Sequence, residues 1–312
     1  MRAVATACAL GVTLTAAPTS AQDVRPTAPS PADSAIAEGR LADAEQLLFA
    51  ASSARTHDPA ARGALGMFMV SRGRLKVGAV LLEEARRFGA DATEIDPLLA
   101  RVYTWLGDWP AIVALKHYAP AGALRERARW LVTHPPARSG TDSATVTLEP
   151  NEMAGLGRIA LVIGDASVLA DINPTVDGLV LPSSADVAAE SKQFGMHDSA
   201  SVAVVYDIGV GAIHLKNVAV RLLPAAHPTI GLDVLAPLMP MFDAGAHQLT
   251  LRLGATESQG EALPLMLAFP GVSIAARAGE PLARMESAAG RAALRGSRWT
   301  FDLRRGAIVI AP

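Results

Sequence analysis

Residues 168–184 read VLADINPTVDGLVLPSS and place a short polar segment between two apolar runs. The segment holds two carboxylates, Asp171 and Asp177, on either side of Asn173-Pro174-Thr175. A strand, a tight loop and a second strand around an aspartate can form a catalytic site, because the loop holds the carboxylate where a substrate reaches it. The segment therefore carries either a working carboxylate or only the loop that once held one.

Other residues that could do chemistry are poorly arranged for it. The seven histidines are scattered, with no pair four residues apart beside an acid, so the sequence predicts no metal site and no cofactor. Gly209-Val210-Gly211 predicts a hairpin turn, and Ser183-Ser184 predicts a helix cap without a nucleophile elbow around it. The single cysteine, Cys8, lies in a predicted export signal, which excludes a thiol nucleophile and disulfides from the mature chain.

The composition is that of a folded protein with room for two domains. The chain has 312 residues, of which 50% are hydrophobic, and a formal net charge of −2. Only 4% of its residues are aromatic, and it shows no clustered basic patch. Nucleic-acid partners are therefore not expected, because they require clustered Lys and Arg or exposed rings for base stacking.

The first 21 residues have the pattern of a signal peptide. Arg2 precedes an apolar run over residues 3–17, and Thr19-Ser20-Ala21 supplies small residues at the expected cleavage site. We expect a secreted or periplasmic chain that starts at Gln22 with a spacer over residues 22–31; the alternative is a buried N-terminal helix. After cleavage no apolar stretch approaches the roughly 18 residues of a membrane span.

Residues 32–133 have apolar residues at helical spacing and contain an internal repeat. Gly39, Gly73 and Gly107 follow one another at intervals of 34 residues, which is the period of tetratricopeptide repeats. The block resembles two to three such repeats. A plain helical array without a ligand groove is the alternative.

The composition changes at residues 134–143, which contain His134-Pro135-Pro136 and predict a linker. Residues 144–254 then alternate short β-type runs with turns, as in an all-β sandwich or barrel. One helix is predicted over residues 183–194, capped by Ser183 or Ser184 and closed by Gly195.

Four segments of this β region resemble the retropepsin-like aspartic peptidases of exported bacterial proteins. They are a first hairpin at residues 159–165, GLVLP with the helix that follows it at 178–195, IGLDVL at 230–235 and the closing hairpin MFDAGAHQLTL at 241–251. Together with the helical repeats, this resemblance implies a multidomain α + β fold, in which an N-terminal all-α tetratricopeptide-like repeat is followed by an all-β retropepsin-like acid-protease barrel.

The same resemblance implies a catalytic loop written Asp, Thr or Ser, Gly, in which two carboxylates from two lobes or subunits share one proton. Counting back from Leu179-Val180-Leu181 puts Asn173-Pro174-Thr175 at this triplet, where an amide cannot activate water. A register at Asp171-Ile172-Asn173 keeps an acid but lacks the hydroxyl and the glycine. Asp177 stands on the wrong side of the loop.

Residues 255–312 form a C-terminal β extension that either is a degenerate second half of the same fold or an unrelated hairpin. Residues 301–310 repeat the pattern of residues 242–251. Glu286-Ser287-Ala288 would stand at the second catalytic loop, with a longer acid and with alanine where close approach favours glycine.

The sequence thus predicts an exported aspartyl protease-like protein with a degenerate catalytic loop that binds a peptide or a protein. The predicted binding residues are Asn173, Pro174, Thr175, Ile230 and Gly231. One alternative is an active aspartic endopeptidase that uses Asp171 from each subunit of a homodimer. Another is a tetratricopeptide scaffold for protein interaction, in which the β domain is only a support.

Overall fold

A computed structural model describes residues 30–117, 122–150, 156–254, 258–267, 272–274, 280–294 and 296–311. The predicted signal peptide and residues 22–29 of the predicted spacer lie outside these ranges. Helices come first and a β-barrel follows, which confirms the predicted order of an α region and a β region. In the residues that are described, no helix has both the length and the hydropathy needed to cross a bilayer.

Seven helices lie within the described residues of the N-terminal region. They are α1 (Pro31–Ala37), α2 (Leu41–Ala54), α3 (Pro59–Ser71), α4 (Leu75–Arg87), α5 (Ala92–Leu106), α6 (Trp109–Ala114) and α7 (Gly122–Thr133). Helices α2, α4 and α6 begin at residues 41, 75 and 109 and so share the 34-residue spacing of the glycines before them. Each glycine has a φ of +69° to +73°, a turn conformation that other residues adopt at a cost.

Side-chain caps fix where several of these helices start. The carboxylate of Asp58 accepts from the backbone N–H groups of Ala60 and Ala61, and that of Asp91 accepts from Thr93. Such caps satisfy N–H groups that have no partner within the helix. Helices α3 and α4 then pack closely, since a Cβ at Gly78 would clash with Val70.

In the part of the chain described after α7 there are sixteen strands and three short helices. The strands are β1 (Ala137–Gly140), β2 (Ser143–Thr147), β3 (Arg158–Ile163), β4 (Ala166–Ile172), β5 (Leu179–Pro182), β6 (Ser191–His197), β7 (Ala200–Val210), β8 (Ile213–Leu223), β9 (Thr229–Ile230), β10 (Met241–Asp243), β11 (Gln248–Arg252), β12 (Glu261–Leu267), β13 (Val272–Ile274), β14 (Ala283–Arg284), β15 (Arg298–Asp302) and β16 (Ala307–Ile310). The helices are α8 (Ala185–Ala189), α9 (Leu232–Leu235) and α10 (Ala288–Leu294), and a 3-10 turn (Ala236–Leu238) follows α9.

Six of these strands close into a barrel. Their order is β8-β5-β9-β4-β3-β7, and β7 pairs back to β8, while β1 and β6 extend the sheet beyond the ring. The barrel is filled by alternate residues of its strands, among them Ile159, Leu161 and Ile163 of β3. The short strand β9 lies between β4, to which it is parallel, and β5, to which it is antiparallel.

A second sheet has the order β14-β13-β12-β16-β15-β10-β11-β2. The pairing of β10 with β15 joins residues 241–252 to the C-terminal segment. At this junction Phe242 lies opposite Trp299, and their rings stack with centroids 4.1 Å apart. Stacked rings of this kind add to the stabilisation that burial of the two side chains provides.

Helices, barrel and second sheet share one continuous hydrophobic core. Leu99 of α5, Ile208 of the barrel and Phe301 of the second sheet belong to the same buried cluster. The helical region also contacts the C-terminal segment directly, since Nη1 of Arg72 donates to the carbonyl of Leu265 over 2.5 Å. The described regions therefore pack against each other as one body.

Two segments differ from the sequence-based expectation. The helix predicted over residues 183–194 ends at Ala189, and Ser191–His197 instead forms β6, whose backbone pairs with β7. The predicted cap is present, because Ser184 Oγ accepts from the N–H of Val187. Within the predicted linker 134–143, Ala137–Gly140 forms β1 by pairing with β8, and a strand ladder satisfies its backbone better than an open loop would.

Candidate functional site

Backbone hydrogen bonds hold the two ends of the loop over residues 173–178 to Ile230 of β9 and to Gly231, which follows it. The N–H of Asn173 donates to the carbonyl of Ile230 over 3.0 Å, and the N–H of Gly231 donates to the carbonyl of Gly178 over 2.7 Å. A side chain at Gly231 would clash with the Val176 carbonyl and with the carboxylate of Asp233. Ile230 and Gly231, which were predicted to bind a ligand, thus hold the loop in place.

Asn173, at which one register of the resemblance expects an acid, has its side chain used within the loop. Its Oδ1 accepts from the N–H of Thr175 over 2.9 Å and from the Thr175 hydroxyl over 2.7 Å. This Asx turn needs only an acceptor, which an amide oxygen supplies. Pro174 is buried beneath the turn.

Asp171 lies on β4 and not in the loop. It pairs with Thr229 of β9, and its Oδ2 is 2.7 Å from Nε2 of His227. It does not line the cavity described below. Asp171 is therefore not on the cavity wall, whereas Thr175, four residues later, is.

Asp177 faces the helical region across the loop. Its Oδ2 lies 2.8 Å from Nε of Arg101 on α5. Burial raises the pKa of Asp177, while the charge of Arg101 and a hydrogen bond from the Trp105 side chain oppose that rise. Arg101 is therefore a counter-charge for the ionised form of Asp177, while burial favours the protonated form.

Asp233 at the start of α9 is the second carboxyl at this site. Both of its oxygens lie 2.9 Å from the N–H of Gly178. Burial raises the pKa of Asp233 to about 7; the hydrogen bond from Gly178 opposes this rise, and the charge of Asp177 adds to it. Asp233 thus ties the loop to α9, and neither it nor Asp177 presents an unengaged carboxylate.

A cavity of about 1220 Å³ lies between the helices and the barrel. Helices α4 and α5 line one side, and β1, β8 and residues 175–179 line the other. Thr175 is the one predicted binding residue on its wall; Asn173, Pro174, Ile230 and Gly231 are not part of its lining. A cavity of this size is large enough for several residues of an extended peptide.

Glu286-Ser287-Ala288, predicted as the counterpart of the loop, starts helix α10. Ser287 Oγ accepts from the N–H of Gly290 over 3.1 Å, and the carboxylate of Glu286 pairs with Arg284. None of the three residues lines the cavity. In the part of the chain that the structure covers, no three His, Cys, Asp or Glu side chains are grouped to hold a metal ion.

Comparisons with known proteins give a limited result. No protein-family model matches the chain, and no curated protein matches it. Among solved structures, the chain is similar to a retropepsin-like aspartic protease from Rickettsia conorii, with 9% identity and a TM-score of 0.29. The match covers 38% of this chain and 93% of that one.

Sequence reasoning did not identify three residues of the site: Arg101, Asp233 and Arg138. Arg101 and Arg138 lie far from the loop in sequence, and only the packing of the helices and of β1 against the barrel brings them to the cavity. Asp233 follows Ile230-Gly231 in the segment that had been singled out. Its position just after that glycine is the one signal that could have identified it.

Proposed function

We propose that this protein binds peptides or proteins without hydrolysing them, through a retropepsin-like β domain whose catalytic loop has degenerated. The observation that carries the proposal concerns the acid that the catalytic loop is expected to hold. Asn173 stands at the expected position with its oxygen engaged by Thr175, and Asp171 is bound to His227 away from the cavity. Amide hydrolysis by this class needs two carboxylates that share a proton over one water.

The cavity supports binding as the retained activity. Main-chain pairing of an extended ligand with a strand needs N–H and C=O groups and no carboxylate. Strand β8 pairs with β1 up to Lys216 and with β5 from Val220 onward. On this side of β8, Asn217, Val218 and Ala219 face no strand among the described residues, and Val218 and Ala219 line the cavity.

We further propose that the helices are tetratricopeptide-like and that the chain is exported. The common spacing of α2, α4 and α6 supports the first point, and the pattern of residues 1–21 supports the second. We also propose that residues 255–312 are a degenerate second half of the retropepsin-like fold. The strand order of the second sheet supports this: outward from the β15–β10 pair, β16 and β12 follow on one side as β11 and β2 do on the other.

Cleavage of an unfolded protein by the mature chain from Gln22, across about pH 3 to 7, tests the loss of activity, because carboxylate dyads titrate in this range. We expect no cleavage by the parent chain. Acid-optimum cleavage that Asp171→Asn abolishes, and that the exposed control Asp165→Asn retains, would instead establish the active peptidase.

Peptide binding is tested separately by filling the cavity. Val218→Trp places a large ring on its wall, whereas Val132→Trp changes an exposed residue of α7 that does not line it. We expect the first variant to weaken binding of a labelled peptide and the second to leave it unchanged. Binding that survives in both variants would favour the helical scaffold.

A further inference from the structure

Several cations on the cavity wall have no partner within the described residues and are available to a ligand. Arg138 of β1 and Lys216 of β8 line the cavity, and neither forms an ion pair or a side-chain hydrogen bond within the described residues. Lys76 of α4 faces the same space from the helical side without such a partner there. Arg138 is exposed on β1, and partial desolvation with no compensating acid lowers its pKa.

Two of the three acids that line this wall are already engaged. Asp177 is paired with Arg101, and Asp233 accepts from Gly178. Asp198 is exposed and lies 3.2 Å from Nε2 of His197, which neutralises it only when the imidazole is protonated. Three cations without a partner among the described residues thus face one exposed acid, so the potential in the cavity is positive.

Apolar surface lies beside these cations. Val77 of α4 is 50% exposed although it is a large hydrophobic residue, and it lines the cavity opposite Val218 and Val234. Asn217 has a φ of +56° and its side chain donates to the carbonyl of Pro135, so the extended stretch of β8 without a strand partner is Val218-Ala219, which spans about 7 Å at the usual rise of a strand. An occupant with an extended backbone would place alternate side chains toward the apolar wall and toward the cations.

We infer that the cavity takes an extended acidic peptide, in which carboxylate side chains alternate with apolar ones. Its backbone pairs with Val218-Ala219 of β8. Its carboxylates pair with Arg138 and Lys216, and with Lys76 from the helices. Its apolar residues contact Val77 and Val234. This inference rests on the proposed peptide-binding function and specifies the chemistry of its ligand.

The test uses three fluorescein-labelled peptides of about eight residues on the full mature chain, with valine alternating with glutamate, glutamine or lysine. Fluorescence anisotropy measures binding at low and at moderate salt. We expect the glutamate peptide to bind roughly 10-fold more tightly than the glutamine peptide, with the advantage shrinking as salt rises, because the added attraction is electrostatic. The lysine peptide should bind most weakly.

Variants then locate the effect. Arg138→Gln combined with Lys216→Gln should remove most of the glutamate preference and leave the glutamine peptide unchanged. Arg87→Gln, an exposed change on α4 that does not border the cavity, is the matched control and should change nothing. Circular dichroism melts confirm that each variant is folded.

The outcomes separate the two proposals. Equal binding of the glutamate and glutamine peptides, or a preference that persists in the double variant, overturns this inference and leaves peptide binding standing. A chain that binds none of the three peptides overturns the proposed peptide binding itself, and this inference with it.

Discussion

Arg101 of helix α5 pairs with Asp177 of the loop at 2.8 Å and so joins the helical region to the wall of the cavity. Each partner comes from a different part of the chain, so the pair forms only when the helices and the loop are packed together. The pair therefore favours the arrangement in which the helices cover the loop.

Removing the arginine should destabilise the protein measurably. Because the two side chains are 37% and 29% exposed, we expect Arg101→Met to lower the free energy of unfolding by about 1–2 kcal/mol, less than for a fully buried pair. Arg101→Met combined with Asp177→Asn should recover part of the loss, as urea titrations can measure. Arg129→Met, in the exposed pair with Glu126, is the control and should cost under about 0.5 kcal/mol. If the losses of Arg101→Met and Asp177→Asn, measured singly, add up in the double variant, the two residues are not coupled.

The raised pKa of Asp233 predicts a pH-dependent stability. Between its ordinary value of 3.8 and about 7, the folded state binds the proton more tightly than the unfolded state does. The stabilisation from this group is therefore complete below about pH 4 and is lost as the pH rises through 7. Asp233→Asn keeps an acceptor for Gly178 and should be more stable than the parent at pH 8, on the order of 2 kcal/mol, but not at pH 4. Urea unfolding at several pH values checks this, with Asp165→Asn as control; a difference that does not vary with pH would contradict the assignment.

Two glycines at the loop should respond to alanine in different ways. At Gly231 the backbone is ordinary, with a φ of −76°, but a Cβ has no space, so Gly231→Ala should cost about 2–4 kcal/mol. At Gly178 the φ is +78° and the surrounding space is open, so Gly178→Ala should cost only about 1 kcal/mol. Thermal and urea unfolding compare the two, and the reverse order of losses would show that the loop is not held as described.

Restoring an acid to the loop should not restore hydrolysis. The carboxylate of Asn173→Asp can accept the same bonds from Thr175, so the variant should stay folded. The neighbouring carboxyls are held by other groups, Asp177 by Arg101 and Asp233 by the N–H of Gly178, so neither is placed to share a proton with the new acid. Assays of protein cleavage at acid pH are expected to remain at background, and a clear gain of activity would refute the structural account of the loop.

The layout of helices before a β-barrel followed from local patterns, since helical periodicity and short β-type runs are properties of neighbouring residues. The turn glycines Gly39, Gly73 and Gly107 could likewise be identified from their 34-residue spacing. Strand β6 was mistaken for helix because its pairing with β7, and not its own sequence, determines its conformation.

The site was harder to predict than the fold because its important contacts join distant segments. The sequence indicated the loop and its missing acid at Asn173. It could not reveal that Arg101 neutralises Asp177 or that Arg138 and Lys216 lack partners, because both facts depend on how the helices and β1 pack against β8.

The pairing of β10 with β15 has a consequence for biosynthesis. Strand β10 is synthesised well before β15. Until the intervening residues have been added, the outer edge of β10 and the ring of Phe242 lack their partners. The second sheet can be completed only once residues 298–310 are available, which makes its closure a late step of folding. During that interval the nascent chain presents an open strand edge beside an uncovered aromatic ring, a combination that holding chaperones protect from association with other chains.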